Sequence, residues 1–264
     1  MDIKEDTVEK LFNKIEDLEK KINILTKKVN YIPNINKFSE ALFSNFYGYS
    51  AAEFSKSQFS ADLFVLKELK LKRDGFFVEF GASDGIAFSN TYLLETCFNW
   101  KGILAEPNLD FFSKLKRNRN SICTNELISG ENNKVYSFIQ DNYLGTIQDY
   151  SQNNKQAEHR NQFIKSNPEK VINIKSISLN EFLKKYKAPK RIDYISIDTE
   201  GSEYDIIKNF NFDLFEVSIF TIEHNFVKEN RDNIFHLMSK KGYKRIPRNV
   251  DDWYINYEYI SAQI

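Results

Sequence analysis

The chain has 264 residues and equal numbers of basic and acidic side chains, 37 of each, so its formal net charge is zero. That balance argues against a large electrostatic affinity for DNA or RNA. Two cysteines, Cys97 and Cys123, provide neither a disulfide framework nor a zinc pattern and fit a reducing cytoplasm, and no apolar stretch approaches the ~18 residues of a membrane span.

Residues 1–32 contain no Gly or Pro and many charges. Their apolar residues fall at Val8, Leu11, Ile15, Leu18, Ile22, Leu25, Val29 and Ile32, alternating in steps of 3 and 4. This heptad seam predicts a helix with β-branched residues at one core position and Leu at the other, the pattern of a parallel two-stranded coiled coil. Lys14 and Glu19 would pair across a homodimer. The competing reading is a single amphipathic helix docked on its own domain, and Phe12 widens the stripe in that direction. Pro33 stops the helix. The segment lacks the apolar core of a signal peptide, so a cytoplasmic protein is expected. Residues 33–56 read as an aromatic connector, and 57–264 as one catalytic domain.

Residues 76–108 read FFVEFGASDGIAFSNTYLLETCFNWKGILAEPN. An apolar strand carrying Glu79 leads into Gly81 and Gly85, then a helix, then a second strand that ends in Glu106. A nucleoside-binding α/β domain holds its cofactor at such a crossover. Gly81 permits a tight turn and a close approach by a ligand. Glu106 can accept both hydroxyls of a ribose. The loop lacks the G-x-G-x-x-G spacing of a dinucleotide site, and Glu79 and Asp84 would repel a phosphate. The same carboxylates would attract a cofactor bearing an ammonium and a sulfonium, as S-adenosylmethionine does.

Ser121–Ser129 predicts the third strand and its exit, with Asn125 and Glu126 near the adenine. A short β excursion at Lys134–Ile139 follows. Residues 145–170 are polar and predict an insertion or lid over the acceptor, where loops carry function. His159-Arg160 there could touch an anionic acceptor, but the pair reads more readily as a solvated helix face, as does the KLKRNR run at Lys114–Arg119. A strand at Val171–Ile177 and a helix at Leu179–Tyr186 come next. RIDYISIDTEG (Arg191–Gly201) and VSIFTIEHN (Val217–Asn225) are two further apolar strands that end in acids. Four apolar runs thus deliver Glu79, Glu106, Asp198 and Glu223-His224 to the carboxyl ends of a parallel sheet, where ligands bind. Helices are predicted at Ser202–Asn209 and Arg231–Lys241. Tyr243–Ile246 and Trp253–Ile260 suit a closing antiparallel pair.

The chain resembles the FkbM-type S-adenosylmethionine-dependent methyltransferases. The resemblance is carried by SQFSAD (Ser57–Asp62), FVEFGASDG (Phe77–Gly85), SNT (Ser89–Thr91), GILAEPN (Gly102–Asn108), IDYISIDTEGSEYDIIKNF (Ile192–Phe210) and IEHN (Ile222–Asn225). It implies an α/β class I methyltransferase fold, with a seven-stranded, mostly parallel, Rossmann-like sheet and helices on both faces. It also implies O-methylation of a sugar or small natural product, with a sugar of a bacterial surface glycan, capsule or lipopolysaccharide, as the expected acceptor. Cofactor contacts are expected at Gln58, Asp62, Glu79, Gly81, Ala82, Ser83, Asp84, Gly85, Ser89, Asn90, Glu106, Pro107, Asn125, Glu126, Asp198 and Thr199. Gln58 and Asp62 read equally well as a helix N-terminal polar turn.

Methyl transfer to a hydroxyl is largely a positioning problem, with a general base to take the proton. His224 is the expected base, oriented by Glu223 or Asp198, unless it only caps its strand. The alternative is Mg²⁺ or Mn²⁺ held by Asp198, Glu223 and His224. A nucleotide-sugar oxidoreductase would use a Tyr-x-x-x-Lys pair, and Tyr186 and Lys190 have that spacing but run into Pro189. A nucleic-acid methyltransferase would show a Pro-Pro turn where Asp198-Thr199-Glu200-Gly201 stands. A coiled-coil scaffold would leave the polar strand ends without a purpose.

Overall fold

The computed structural model describes residues 54–151 and 156–262. The expected coiled-coil helix (1–32) and the connector up to residue 53 lie outside the described residues. From Phe54 onward the architecture is built on apolar runs buried on both faces. These are β1 (Phe76–Phe80), β2 (Lys101–Ala105), β8 (Arg191–Ile197) and β9 (Glu216–Glu223). Strands buried on both sides read as continuous apolar sequence, which is why all four were legible. With β3 (Ile122–Thr124), β10 (Lys244–Pro247) and β11 (Asp251–Ile255) they form a seven-stranded sheet in the order β10-β11-β9-β8-β1-β2-β3. β1 pairs in parallel with both β2 and β8, so the strand order reverses between β1 and β8. β11 runs antiparallel to β9 and to β10.

Helices cover both faces of this sheet. Leu179, Phe182 and Leu183 of α5 (Leu179–Lys185), Ile206 and Ile207 of α6 (Glu203–Lys208), and Ile234 and Met238 of α7 (Lys228–Lys240) pack in one cluster with Val78, Ile195, Phe220 and Tyr254. On the other face Phe64 of α1 (Ala61–Glu68) lies 4.3 Å from Trp253, ring centroid to ring centroid. Neighbours Trp253 and Tyr254 serve opposite faces, as strand alternation requires.

Two expectations are corrected. SICTNELIS is two strands in two sheets: β3 stays in the main sheet, while β4 (Leu127–Ser129) leaves it. β4 starts a separate four-stranded sheet, β4-β7-β5-β6, with β5 (Val135–Ile139), β6 (Thr146–Ile147) and β7 (Val171–Ser178). Leu127, Tyr136, Phe138 and Ile147 give this side sheet its own small core. The insertion is therefore anchored β structure followed by α4 (Ala157–Ser166). The last strand also ends early, at Ile255, because the Asn256 side chain accepts the Tyr259 amide at 3.2 Å and caps α8 (Tyr257–Ser261).

A third correction concerns α2 (Tyr92–Phe98) and α3 (Leu109–Asn118), the helices after β1 and β2. Of the Lys114–Arg119 run, Arg119 is not solvated: only 5% of it is exposed. Its guanidinium pairs with Glu95 at 3.1 Å and Glu79 at 3.6 Å. It also donates to the Gly85 carbonyl, Ser89 Oγ and Thr91 Oγ1 at 3.1, 3.0 and 2.9 Å. Glu79 in turn accepts from the Asn90 amide (2.7 Å), Ser89 Oγ (3.0 Å) and Thr91 Oγ1 (2.5 Å). One buried cation thus ties β1, the loop after it and α2 together.

Removing one partner of a buried ion pair strands the remaining charge. Arg119→Met is expected to cost about 3–5 kcal/mol in urea unfolding, because Glu79 and Glu95 lose their counter-charge. Arg119→Lys should recover only part, since an ammonium cannot reproduce the planar fork of donors.

Candidate active site

The carboxyl ends of β1, β2, β8 and β9 meet at the reversal of strand order. Gly81 leaves β1 with φ 72°, and a Cβ there would lie 1.9 Å from the Asp198 carbonyl oxygen, so only glycine lets the two strand ends cross this closely. Asp84 Oδ1 accepts the Ile86 and Ala87 amides, both at 2.9 Å, and turns the loop back. Glu106 closes the other side. Its two carboxylate oxygens accept the Ser83 and Asn108 amides, both at 2.8 Å. Burial nevertheless pushes the Glu106 carboxyl up to about 7, against the pull of those two amides.

A cavity of about 340 Å³ opens above these strand ends, walled also by Asn142, Tyr143 and Leu144 and by Gly145 and Gln156 of the insertion. A narrow slot of about 40 Å³ leads off it between Phe80, Ala105 and Pro107 on one side and Leu127, Phe138 and Ile147 on the other. A second small lobe lies among Gln58, Asn90, Ser196, Thr221 and Asp251. Asn90 ties this lobe together by accepting from Ser57 Oγ at 2.6 Å and donating to Ser196 Oγ at 3.0 Å.

Asp198, Glu200 and Glu223 bring carboxylate oxygens within 4.8 Å of one another on the cavity wall. Asp198 opens into the cavity yet sits at the bottom of the cleft. Burial, and then the Glu200 charge, hold its carboxyl well above the usual carboxylate range. Glu223 is raised likewise, by burial first and then by Asp198. Glu200 is raised by burial, with Arg160 pulling the other way. Its backbone is left-handed, at φ 61°. Three contacts hold it there: Thr146 Oγ1 donates to its carbonyl at 3.0 Å, and Arg160 and Asn225 donate to Oε2 at 2.6 and 3.1 Å. The Arg160 side chain is fully buried, so the expectation of a solvated helix face fails there as well. His159 pairs instead with Asp141 at 2.9 Å. Chemically, the trio could take a proton from a hydroxyl or hold a divalent cation.

Of the residues expected at the site, Gln58, Glu79, Gly81, Ser83, Asn90, Glu106, Pro107, Glu126, Asp198, Thr199 and Glu223 line the cavity or its lobes. Others do not. Asp62 is buried under Ser55 and the Leu63 amide, and burial pushes its carboxyl up to about 7. Gly85 and Ser89 pack around Arg119. Ala82 is buried, Asp84 turns its own loop, and Asn125 is exposed to solvent. His224 is the main correction. Its Nδ1 accepts the Phe226 amide at 3.1 Å, and its Nε2 lies 3.7 Å from Asp252, on the side held by Arg231. The ring is 1% exposed and is not among the residues that line the cavity or its lobes. Glu200 takes its place in the acidic cluster. Glu200 stood in the same DTEG turn as Asp198. Its left-handed backbone, which aims the carboxylate at the cavity, has no local sequence signal.

The residues 79–245 match the family described as Methyltransferase FkbM domain. The chain belongs to this family of S-adenosylmethionine-dependent methyltransferases. Among solved structures it is similar to precorrin-6y C5,15-methyltransferase from Geobacter metallireducens, with 11% identity over 77% of this chain and 93% of that one and a TM-score of 0.41. It is also similar to a methyltransferase from Pyrococcus furiosus, with 15% identity over 83% and 94% and a TM-score of 0.37. No curated protein matches the sequence.

The residues present fit the cofactor that the family implies. An apolar slot adjoins a carboxylate whose oxygens each keep a free lone pair. No Lys, Arg or His lines the cavity among the described residues, which suits a ligand with cationic groups and no phosphate.

The insertion reaches the site through Arg160. Arg160→Met is expected to cost about 3–5 kcal/mol in urea unfolding, by leaving Glu200 buried without its counter-charge. Adding Glu200→Gln should restore most of that loss. Two losses that simply add would show that the pair is not coupled.

Proposed function

We propose that this chain methylates a hydroxyl of a sugar or sugar derivative on the path to a bacterial surface glycan, such as capsule or lipopolysaccharide. The observation that carries this reading is the group of carboxylates, Asp198, Glu200 and Glu223, facing the cavity beside the cofactor slot. A sugar hydroxyl is a poor nucleophile until it loses its proton, and a carboxylate raised from its ordinary value is the better base for it. In this reading Glu223 or Asp198 takes the proton while Glu200, fixed by Arg160, accepts a neighbouring hydroxyl. The glycan assignment draws further support from the family resemblance. When bound, S-adenosylmethionine supplies an electrophilic methyl group. Glu106 accepts its ribose hydroxyls, and the slot between Pro107 and Leu127 takes its adenine. A divalent cation on Asp198, Glu200 and Glu223 is a second reading, favoured by the 4.8 Å grouping of their oxygens.

The sign of the pH dependence follows from Glu106. Its carboxyl is raised from 4.5 to about 7, so near neutrality much of it is protonated in the free protein. Ribose donors favour the charged form, so binding pulls the pKa down and releases a proton. Affinity for S-adenosylhomocysteine is therefore expected to rise about tenfold between pH about 6 and about 8 in calorimetric titrations. Glu106→Gln should bind more weakly and flatten the profile. NAD⁺ should give no heat, and binding of NAD⁺ in place of S-adenosylhomocysteine would sink the methyltransferase reading.

Transfer of a tritiated methyl group to a panel of neutral and amino sugars tests the acceptor class, and EDTA separates the two roles of the carboxylates. Transfer that survives exhaustive EDTA supports base catalysis. Transfer lost to EDTA and restored by Mg²⁺ or Mn²⁺ supports the cation.

A further inference from the structure

Phe88 stands on the lip of the cavity with a left-handed backbone, φ 62°, and 54% of its surface exposed. A bulky residue rarely adopts that conformation, and strain of this kind is kept where the surroundings enforce it. Here they do. Ser57 and Phe88 form a parallel bridge, and the Phe88 ring meets Tyr143 edge-on at 5.4 Å. Tyr143 rests in turn on Phe111 at 4.8 Å. The chain thus holds an apolar ring open to solvent at the mouth of a polar cavity, where burial gives it little.

The rest of the cavity shows what such a ring could meet. Among the described residues, Glu223 Oε2 and Asp251 Oδ1 are buried atoms without a hydrogen-bond partner, each on a lobe that Phe88 also lines. Among the described residues that line the cavity there is no cation to balance them, and Arg160 is committed to Glu200. One edge therefore offers an aromatic ring and the wall offers hydrogen-bond acceptors. A pyranose has the matching surfaces: polarised C–H groups on a ring face and hydroxyl donors around its rim. The negative face of a phenyl ring attracts the former, and carboxylates accept from the latter. A carboxylate or phosphate on the same sugar ring would be pressed against like charge.

We propose that Phe88 is the acceptor-stacking residue of this cavity and that the reacting ring is an uncharged or amino-bearing pyranose. The inference rests on the sugar reading above and narrows it. Phe88 contributes to acceptor binding and leaves the cofactor half of the site untouched.

The test uses saturation-transfer NMR on the full chain loaded with S-adenosylhomocysteine. The probes are a neutral methyl hexopyranoside, its 2-amino analogue and the matching methyl hexuronoside. Saturation is expected on the ring C–H protons of the first two and not on the hexuronoside. It should vanish in Phe88→Gly and Phe88→Leu and return in Phe88→Tyr. Melting temperature provides a readout that a packing role would move the other way. Phe88→Gly relieves the left-handed backbone, so its melting temperature should not fall below that of the unsubstituted protein, and its affinity for S-adenosylhomocysteine should not change. A clear fall in melting temperature, or saturation that survives in Phe88→Leu, overturns the stacking role. A hexuronoside that saturates most strongly overturns the charge assignment. Pyranoside saturation that is the same with and without the Phe88 ring overturns this proposal alone, whereas normal S-adenosylhomocysteine binding with no saturation on any pyranoside overturns the sugar reading with it.

Discussion

The site depends on one buried cation. Arg119 lies at the end of α3, yet its contacts are with β1, the loop that follows and α2. Without it Glu79 and Glu95 would face each other's charge in a region closed to water, and the loop that carries Gly81 and Ser83 would lose its anchor. With it, the Gly85 carbonyl and the Ser89 and Thr91 hydroxyls each have a donor. Ser83 can then present its amide to the Glu106 carboxylate while the Gly81 and Ala82 amides donate to the Ala105 carbonyl, and the two halves of the cofactor side are locked to each other. A preformed site of this kind loses little conformational entropy when a ligand arrives.

The acidic wall is governed by the opposite economy. Asp198, Glu200 and Glu223 are crowded, and only Glu200 has a cation within ion-pair distance among the described residues. Burial first, and crowding after it, raise the affinity of Asp198 and Glu223 for protons, which are the smallest ligands that can relieve the strain. A positively charged ligand relieves it too. Cofactor binding and the protonation of this wall are therefore linked, and occupation of one side should lower the pKa on the other.

Much of this was legible in the amino-acid sequence, and the remainder divides cleanly by physical cause. The parallel strands announced themselves because both their faces are buried, and their acidic ends followed from the geometry of such sheets. β4 did not, since three residues, Leu127–Ser129, carry no period of their own and leave the main sheet through an ordinary polar pair, Asn125-Glu126. Two arginines depart from their local sequence pattern. Arg119 and Arg160 sit in polar stretches whose local pattern says surface, and only tertiary placement turns them inward. His224 failed for a related reason: its position at a strand end was read correctly, but a strand end has two sides. The amide of Phe226, two residues on, engages the ring, which does not line the cavity or its lobes.

The side sheet divides the groups around the site into two sets with separate ties. None of the groups that Arg119 gathers belongs to the segment between β4 and β7, whereas Thr146 and Arg160, which shape the acceptor wall, both do. Phe138, Gly145 and Ile147 of the same segment also line the slot beside Pro107, so drift that spares the slot is confined to α4 and its Arg160. Diversification of acceptors among relatives is then expected to concentrate in α4, with the glycine loop and its arginine held nearly fixed. The same partition marks that stretch as the place to graft when a new acceptor is wanted.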